Sequence, residues 1–233
     1  MRVLGIVPAR GGSRRIPRKN LAEVGGKTLV RRALEAAAAS GRLDPVVLSS
    51  DDPEILAEGA GVPGVLCLPR PPELATETAL AIDVVRQVVA EVERERFDAI
   101  ALVQATSPLT APEDVAAAVD VLARTGAESA ATVVRLDHAV HPLKLKRLEG
   151  DRLVPFLEDD AMRPEHELPE LWVRNGAVYV TRRDVVDRGL LISADCRAHA
   201  MPRERSVDVN EPIDLAFAEF LSRGPAATLN RLP

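Results

Sequence analysis

Between Val3 and Val134 short apolar runs alternate with longer amphipathic stretches, a pattern that predicts strands and helices in turn. Val3 to Val7 is continuously apolar and ends at Pro8, as expected for a strand covered on both faces of a parallel sheet. Thr28 to Ser40 repeats apolar residues at helical spacing and stops at Gly41. Val46 to Ser49 predicts the next strand, after which Asp51 and Asp52 are placed to cap a helix through Gly59. Val65 to Leu68 and Ala99 to Val103 predict further strands, with the longest helical segment, Glu77 to Glu95, between them. A helix from Pro112 to Ala123, opened by its proline, precedes a strand from Ala130 to Val134. This is the signature of a doubly wound α/β domain with a mainly parallel sheet, whose ligands sit at the carboxyl ends of the strands. From Asp137 to Leu171 the periodicity gives way to proline, histidine and charge, which reads as a small hairpin plus an arm. Trp172 to Thr181 predicts a strand, Ala198 to Met201 a weaker one, Glu211 to Leu221 a closing helix, and Gly224 to Pro233 a loose tail. The whole is a single domain over residues 1–233 with an appendage at about 137–171.

Charge narrows the ligand class. A net charge of -5 leaves no broad positive field for nucleic acid or an anionic membrane surface, so both are excluded as partners; a small anion needs only a local basic pocket. No apolar run approaches the roughly 20 residues of a membrane span, and the opening residues are too short for a signal segment. Cys67 and Cys196 stand alone without metal-ligand spacing, and a reduced cytoplasm is the simplest setting. Of the 30 basic residues only Lys19, Lys27, Lys144 and Lys146 are lysine, so a single arginine carries little weight.

The chemistry concentrates in the loop after the first strand. Gly11, Gly12 and Ser13 follow Arg10 and precede Arg14, Arg15, Arg18, Lys19 and Asn20. Glycines let backbone N–H groups approach phosphate oxygens, and a cluster of cations neutralises a polyanion, which suits a triphosphate. The loop is neither a Walker sequence nor a dinucleotide fingerprint, so an NAD-binding reading fails. Arg10 and Lys19 are the candidate catalytic groups, one a fork and one a point charge. Asn20 and Gln104 each offer donor and acceptor for a base edge or sugar hydroxyl. Asp208 precedes the closing helix and is the candidate ligand for Mg²⁺, a hard cation that prefers oxygen. The competing reading is that Asp208 and Asn210 only cap that helix.

These segments resemble, in order, the acylneuraminate cytidylyltransferase family. Arg10, Gly12, Ser13, Lys19, Asn20 and Leu21 match its opening I-x-A-R-x-G-S-K-G-x-x-x-K-N-L, with Arg14 and Arg15 in place of Lys-Gly. Arg70, Pro71, Glu73, Leu74 and Ala75 resemble its RPxELAxD, with Glu77 for Asp; Gln104, Thr106, Ser107, Pro108 and Leu109 resemble its QPTSPL. His141-Pro142 with Lys144, Leu168-Pro169, Asn175 to Tyr179 and Ser206 to Asp214 follow in the family's order. The resemblance implies a nucleotide-diphospho-sugar transferase-like fold and a Mg²⁺-dependent enzyme joining CMP from CTP to an acidic nine-carbon 2-keto sugar. It implies a nucleotide site at Gly11, Gly12, Ser13, Asn20 and Arg70, and a sugar side at Gln104, Thr106, Ser107, Lys144, Arg163 and Asn175. It implies metal at Asp208 and position 210, where this chain has Asn210 instead of the family's second Asp. It also makes the arm a dimerisation element, so a homodimer is implied. Glu165 and His166 stand where the sialate enzymes carry Arg-Gln, which leaves the sugar open. Two alternatives stay open beside it: the related 3-deoxy-manno-octulosonate enzyme, and a nucleotide-binding homologue without turnover.

Overall fold

The computed structural model describes residues 1–92, 97–157 and 164–224. A seven-stranded sheet runs through it in the order β11-β7-β10-β6-β1-β4-β5. Its strands are β1 (Val3–Pro8), β4 (Val46–Ser50), β5 (Val65–Pro69), β6 (Ala99–Val103), β7 (Ser129–Arg135), β10 (Trp172–Arg182) and β11 (Cys196–Ala200). All are parallel except β10, which pairs antiparallel with both β6 and β7. Two small hairpins complete the strands: β2 (Glu23–Val24) with β3 (Lys27–Thr28), and β8 (Lys146–Glu149) with β9 (Arg152–Pro155).

The continuous apolar runs are explained by cover on both faces. On one side α1 (Leu29–Ala39), α2 (Pro53–Ala60) and α4 (Pro112–Thr125) pack over Val3 and Val7 of β1, with Val30, Leu34, Ile55 and Val115 in the same cluster. On the other, α3 (Ala81–Val92) and α5 (Arg183–Asp187) meet Leu4 and Ile6 through Val85, Val88 and Val186. A third cluster joins Ile16 of the basic loop to Val207 and Val209 and to Ala218 of the closing helix α6 (Pro212–Ser222). Among the described residues no helix is long and apolar enough to cross a membrane.

The expected alternation is present, with three differences. The helix expected from Glu77 starts at Ala81, because Thr76 to Leu80 forms a polar rim in which the Thr76 and Thr78 hydroxyls meet at 3.4 Å and Glu77 pairs with Arg14. Local hydroxyl bonding of this kind competes with helix formation. The weak last strand runs from Cys196 rather than Ala198, its register with β7 set by Cys196↔Ser129 through Ala200↔Val133. The short helix α5 and the hairpin β2–β3 carry too few residues to show a period. In the arm, β8–β9 is the anticipated hairpin, turning at Gly150 with φ 67°. Arg163 and the tail from residue 225 lie outside the described residues.

Candidate functional site

Strand order puts β1 between β4, reached by the first crossover, and β6, reached by a later one. Loops leaving β1 and β6 therefore part in opposite directions, and a crevice opens at the carboxyl edge between them. It holds a cleft of about 320 Å³ lined by Arg10, Gly12, Ser13, Lys19, Asn20, Arg70, Gln104 and Thr106, together with the rim residues Thr76 and Glu77. Residues from three parts of the sequence, following β1, β5 and β6, thus meet at the carboxyl edge of the sheet.

Each wall has a local cause. After β1 the chain is tied to β4 by Ala9 N–H donating to the Ser49 carbonyl and by Gly11 N–H donating to Asp51 Oδ1, both at 3.0 Å. A Cβ on Gly11 would stand 2.7 Å from Asp52 Oδ2, so this glycine permits close packing against Asp52 and does not line the cleft. Gly12 is the reverse case: a Cβ there would meet nothing within 4 Å, and its backbone faces the open cleft. Arg18 takes a left-handed conformation, φ 53°, and pairs with Glu54. That turn leads into the short helix Lys19–Leu21, where Asn20, 8% exposed, donates from its amide to the Arg10 carbonyl at 2.9 Å and closes the loop at its base.

Three cations converge on this cleft and act against one another. Burial pushes the Lys19 ammonium below the ordinary lysine range, Asp208 opposes this, and Arg15 and Arg10 push it down further. Burial likewise lowers Arg70, which is 8% exposed, with Asp51 opposing and Arg10 reinforcing the shift. Arg70 is held in place by Ser49, donating from Nε to Oγ at 3.1 Å and from Nη2 to the carbonyl at 2.7 Å. Crowded, partly desolvated cations with few carboxylate partners form a site that an anion relieves. Across the mouth, Arg14 and Glu77 form an ion pair between the basic loop and the rim.

The remaining candidates divide. Lys19 Nζ donates to the Val209 carbonyl at 2.8 Å and Val209 N–H donates to the Thr106 carbonyl at 2.8 Å, which brings the segment carrying Asp208 and Asn210 against the cleft. The exposed Asp208 carboxylate accepts from Asn210 Nδ2 at 2.7 Å. Asp214, not Asp208 or Asn210, serves the helix terminus, accepting from the N–H groups of Asn210 and Glu211. Ser107 is buried in the turn before α4, and its hydroxyl finds no partner among the described residues. Asn175 sits in a bulge of β10 opposite β7, accepts from Thr132 Oγ1 at 2.7 Å and donates to Ser206 Oγ at 2.9 Å. Its amide is thereby committed to holding the bulge against the segment that leads to Asp208. Lys144 lies in a short helix of the arm, away from the lining of this cleft. Among the described residues no group of three or more His, Cys, Asp or Glu could hold a metal by itself.

A second cleft of about 550 Å³ shares Ala81 and Gln104 with the first and is completed by Leu102, Val173, Arg174, Tyr179, Leu191 and Ile192. Burial raises the Tyr179 hydroxyl; Arg174 opposes the shift and Asp208 adds to it, so Tyr179 lies within reach of both charges. Leu191 and Ile192 belong to no motif. Their one signal was an apolar run, Leu190 to Ile192, lying outside any helix or strand.

A family model described as Cytidylyltransferase matches residues 4–152. The chain is 30% identical to "CMP-N,N'-diacetyllegionaminic acid synthase" of Legionella pneumophila, over 95% of this chain and 96% of that protein. It is 31% identical to "N-acylneuraminate cytidylyltransferase A" of Danio rerio, over 93% of this chain and only 50% of the fish protein. Among solved structures, a CMP:2-keto-3-deoxy-manno-octonic acid synthetase complexed with CTP superposes with a TM-score of 0.70, covering 100% of both chains at 19% identity, a likeness of fold.

Proposed function

Because the chain belongs to the acylneuraminate-type cytidylyltransferase family and is a nucleotidyltransferase, we propose that it transfers CMP from CTP to the anomeric hydroxyl of an acidic nine-carbon 2-keto sugar. The observation that carries this reading is the convergence of Arg10, Lys19 and Arg70 on one cleft, where Lys19 and Arg70 are both depressed by burial. The triphosphate lies along Arg10, Lys19 and the backbone at Gly12 and Ser13, with Leu74, Ala79 and Ala81 offering an apolar wall to the nucleoside. The acid occupies the neighbouring cleft, its carboxylate toward Arg174, so that Gln104 stands between the two substrates. The anomeric hydroxyl oxygen attacks the α-phosphorus and releases its proton to water, the bond from that phosphorus to the bridging oxygen breaks, and pyrophosphate leaves. Arg10 and Lys19 act by holding the phosphates in line and countering the charge that builds on them, the main contribution a protein makes to such transfers.

Asp208 and Asn210 fit Mg²⁺ in chemistry: an exposed hard-oxygen carboxylate beside the phosphate loop, with the remaining ligands left to phosphates and water. Asn210 would contribute its carbonyl oxygen after an amide flip, since its nitrogen faces Asp208. When bound, the ion supplies neutralisation of phosphate charge. In the arm, Leu148, Leu153 and Phe156 are exposed on and beside the β8–β9 hairpin, and a second copy of the chain is the partner this face is read to meet.

The test is CTP-dependent pyrophosphate release across a panel of acidic sugars, with and without a chelator of Mg²⁺. Tight CTP binding with no release for any acid rules the reading out. The two glycines make a sharper local prediction. Gly12→Ala adds a methyl into space the protein leaves open, so Tm is expected to hold while CTP affinity falls. Gly11→Ala forces a methyl into Asp52 and is expected to cost about 1–3 kcal/mol of stability. Calorimetry with CTP titration on both variants checks the contrast, and equal behaviour would contradict it.

A further inference from the structure

We propose that Val173, Leu191 and Ile192 form a specificity wall that selects an acidic sugar whose exocyclic side carries a second acylamino group in place of hydroxyls. The inference rests on the cytidylyl-transfer reading above and concerns which acid enters the second cleft.

The lining of that cleft is divided. Its hydrogen-bonding side chains are Gln104, at the boundary with the nucleotide cleft, and Arg174 and Tyr179, which lie near one another and near Asp208. The remaining lining residues are Ala81, Leu102, Val173, Leu191 and Ile192, whose side chains neither donate nor accept. An acid placed with its carboxylate on Arg174 and its anomeric carbon toward Gln104 turns the far side of its ring and chain to this aliphatic wall. A hydroxyl directed at this wall gives up water without gaining a side-chain partner, whereas a terminal methyl, or the methyl of an acylamino group whose N–H and C=O stay in water at the cleft mouth, buries apolar surface.

The wall is also fixed. Leu190 N–H donates to the Val185 carbonyl at 3.2 Å, and Thr181 Oγ1 donates to the Leu191 carbonyl. Ser193 N–H donates to Ser129 Oγ at 3.1 Å, and the Ser129 and Ser193 hydroxyls meet at 3.2 Å. The segment is thus pinned to α5, β10 and β7 in turn, and Leu191 also packs on the core beneath α3. A wall held at three consecutive anchor points cannot turn polar groups inward to suit a hydroxylated tail. An aliphatic pocket discriminates modestly, about 10- to 100-fold for such a change.

The experiment compares kcat/KM for N,N'-diacetyllegionaminate, which carries two acylamino groups and ends in a methyl, with that for N-acetylneuraminate, which carries one and ends in a hydroxylated tail. Pyrophosphate release is measured on the intact chain and on Ile192→Asn and Val173→Thr, with CTP affinity measured by calorimetry on each. The result expected is a preference of about 10- to 100-fold for the doubly acylated acid, reduced several-fold in both variants with CTP affinity unchanged. Val173 is already 45% exposed, so its near-isosteric threonine keeps the comparison open if Ile192→Asn fails to fold. Equal use of the two acids, preference for N-acetylneuraminate, or a preference that the folded variants retain in full would each overturn the inference while leaving cytidylyl transfer in place. Tight CTP binding with no release from either acid or any other in the panel would overturn the transfer reading and this inference with it.

Discussion

Lys19→Ala is expected to lower kcat/KM for CTP by about two to three orders of magnitude, the usual effect of removing one preorganised group that meets developing phosphate charge. The ammonium is half-buried, directed by its bond to the Val209 carbonyl, and crowded by Arg10 and Arg15. Its charge is thus partly screened from water, and among the described residues no carboxylate forms an ion pair with it at close range. Removing it relieves repulsion within the free loop, so the fold is expected to survive with little change in Tm. The pH dependence supplies the sign. In the free protein burial sets the Lys19 pKa below its ordinary 10.5, whereas a bound triphosphate favours the charged form and raises it again. Binding therefore takes up a proton near the depressed value, and CTP affinity falls as pH rises through it. Lys19→Ala is expected to weaken CTP binding and to abolish this alkaline limb in the binding that remains. Titration calorimetry in buffers of different ionisation heat measures the proton uptake; a variant that keeps the limb would show that another group is responsible.

Most of the fold could be read from the sequence because β1, β4 and β6 are covered on both faces and therefore announce themselves as unbroken apolar runs. The gathering of Arg10, Arg70 and Gln104 at one cleft was legible for the same reason: each lies within two residues of the end of a strand that finishes at the same edge, so chain order brings them together. What could not be read depends on contacts between distant segments. Gly11 and Gly12 look equivalent in sequence, and only the position of Asp52 separates the structural glycine from the one that faces the cleft. Asn175 carries the polar group a sugar site needs, yet the bulge in β10 turns it toward Thr132 and Ser206. Leu191 and Ile192 carry no motif at all, because an aliphatic wall is defined by what it lacks and by the anchors that hold it.

The largest expected effect on stability lies at a residue that lines neither cleft. Asp114, on the first turn of α4 and 1% exposed, accepts from Arg205 through both oxygens at 2.8 Å, from Ala111 N–H at 3.0 Å, and lies 3.3 Å from His199 Nε2. Burial pushes this carboxyl up, but the bonds from Arg205, Ala111 and His199 and the Arg205 charge together hold it below its ordinary range. A depressed carboxylate stabilises the fold above its unfolded pKa, so this contribution is lost as pH falls through the acid range below about 4. Asp114→Ala is expected to cost about 2 kcal/mol. A fully buried pair broken on one side would cost more, but the Arg205 side chain is 41% exposed and water recovers part of the loss. For a chain of this length that corresponds to a fall in Tm of roughly 4–8 °C at neutral pH, shrinking toward acid as wild type loses the same carboxylate. The effect should reach the site as well, because Arg205 and Ser206 lead directly into the irregular segment that presents Asp208 beside Lys19. Thermal unfolding of Asp114→Ala at neutral and acid pH, set beside its kcat at a temperature where both proteins are folded, measures the two consequences separately. An unchanged Tm at neutral pH would mean that Arg205 is anchored by something other than Asp114. A lowered Tm with full kcat would mean that the segment carrying Asp208 keeps its place without that anchor.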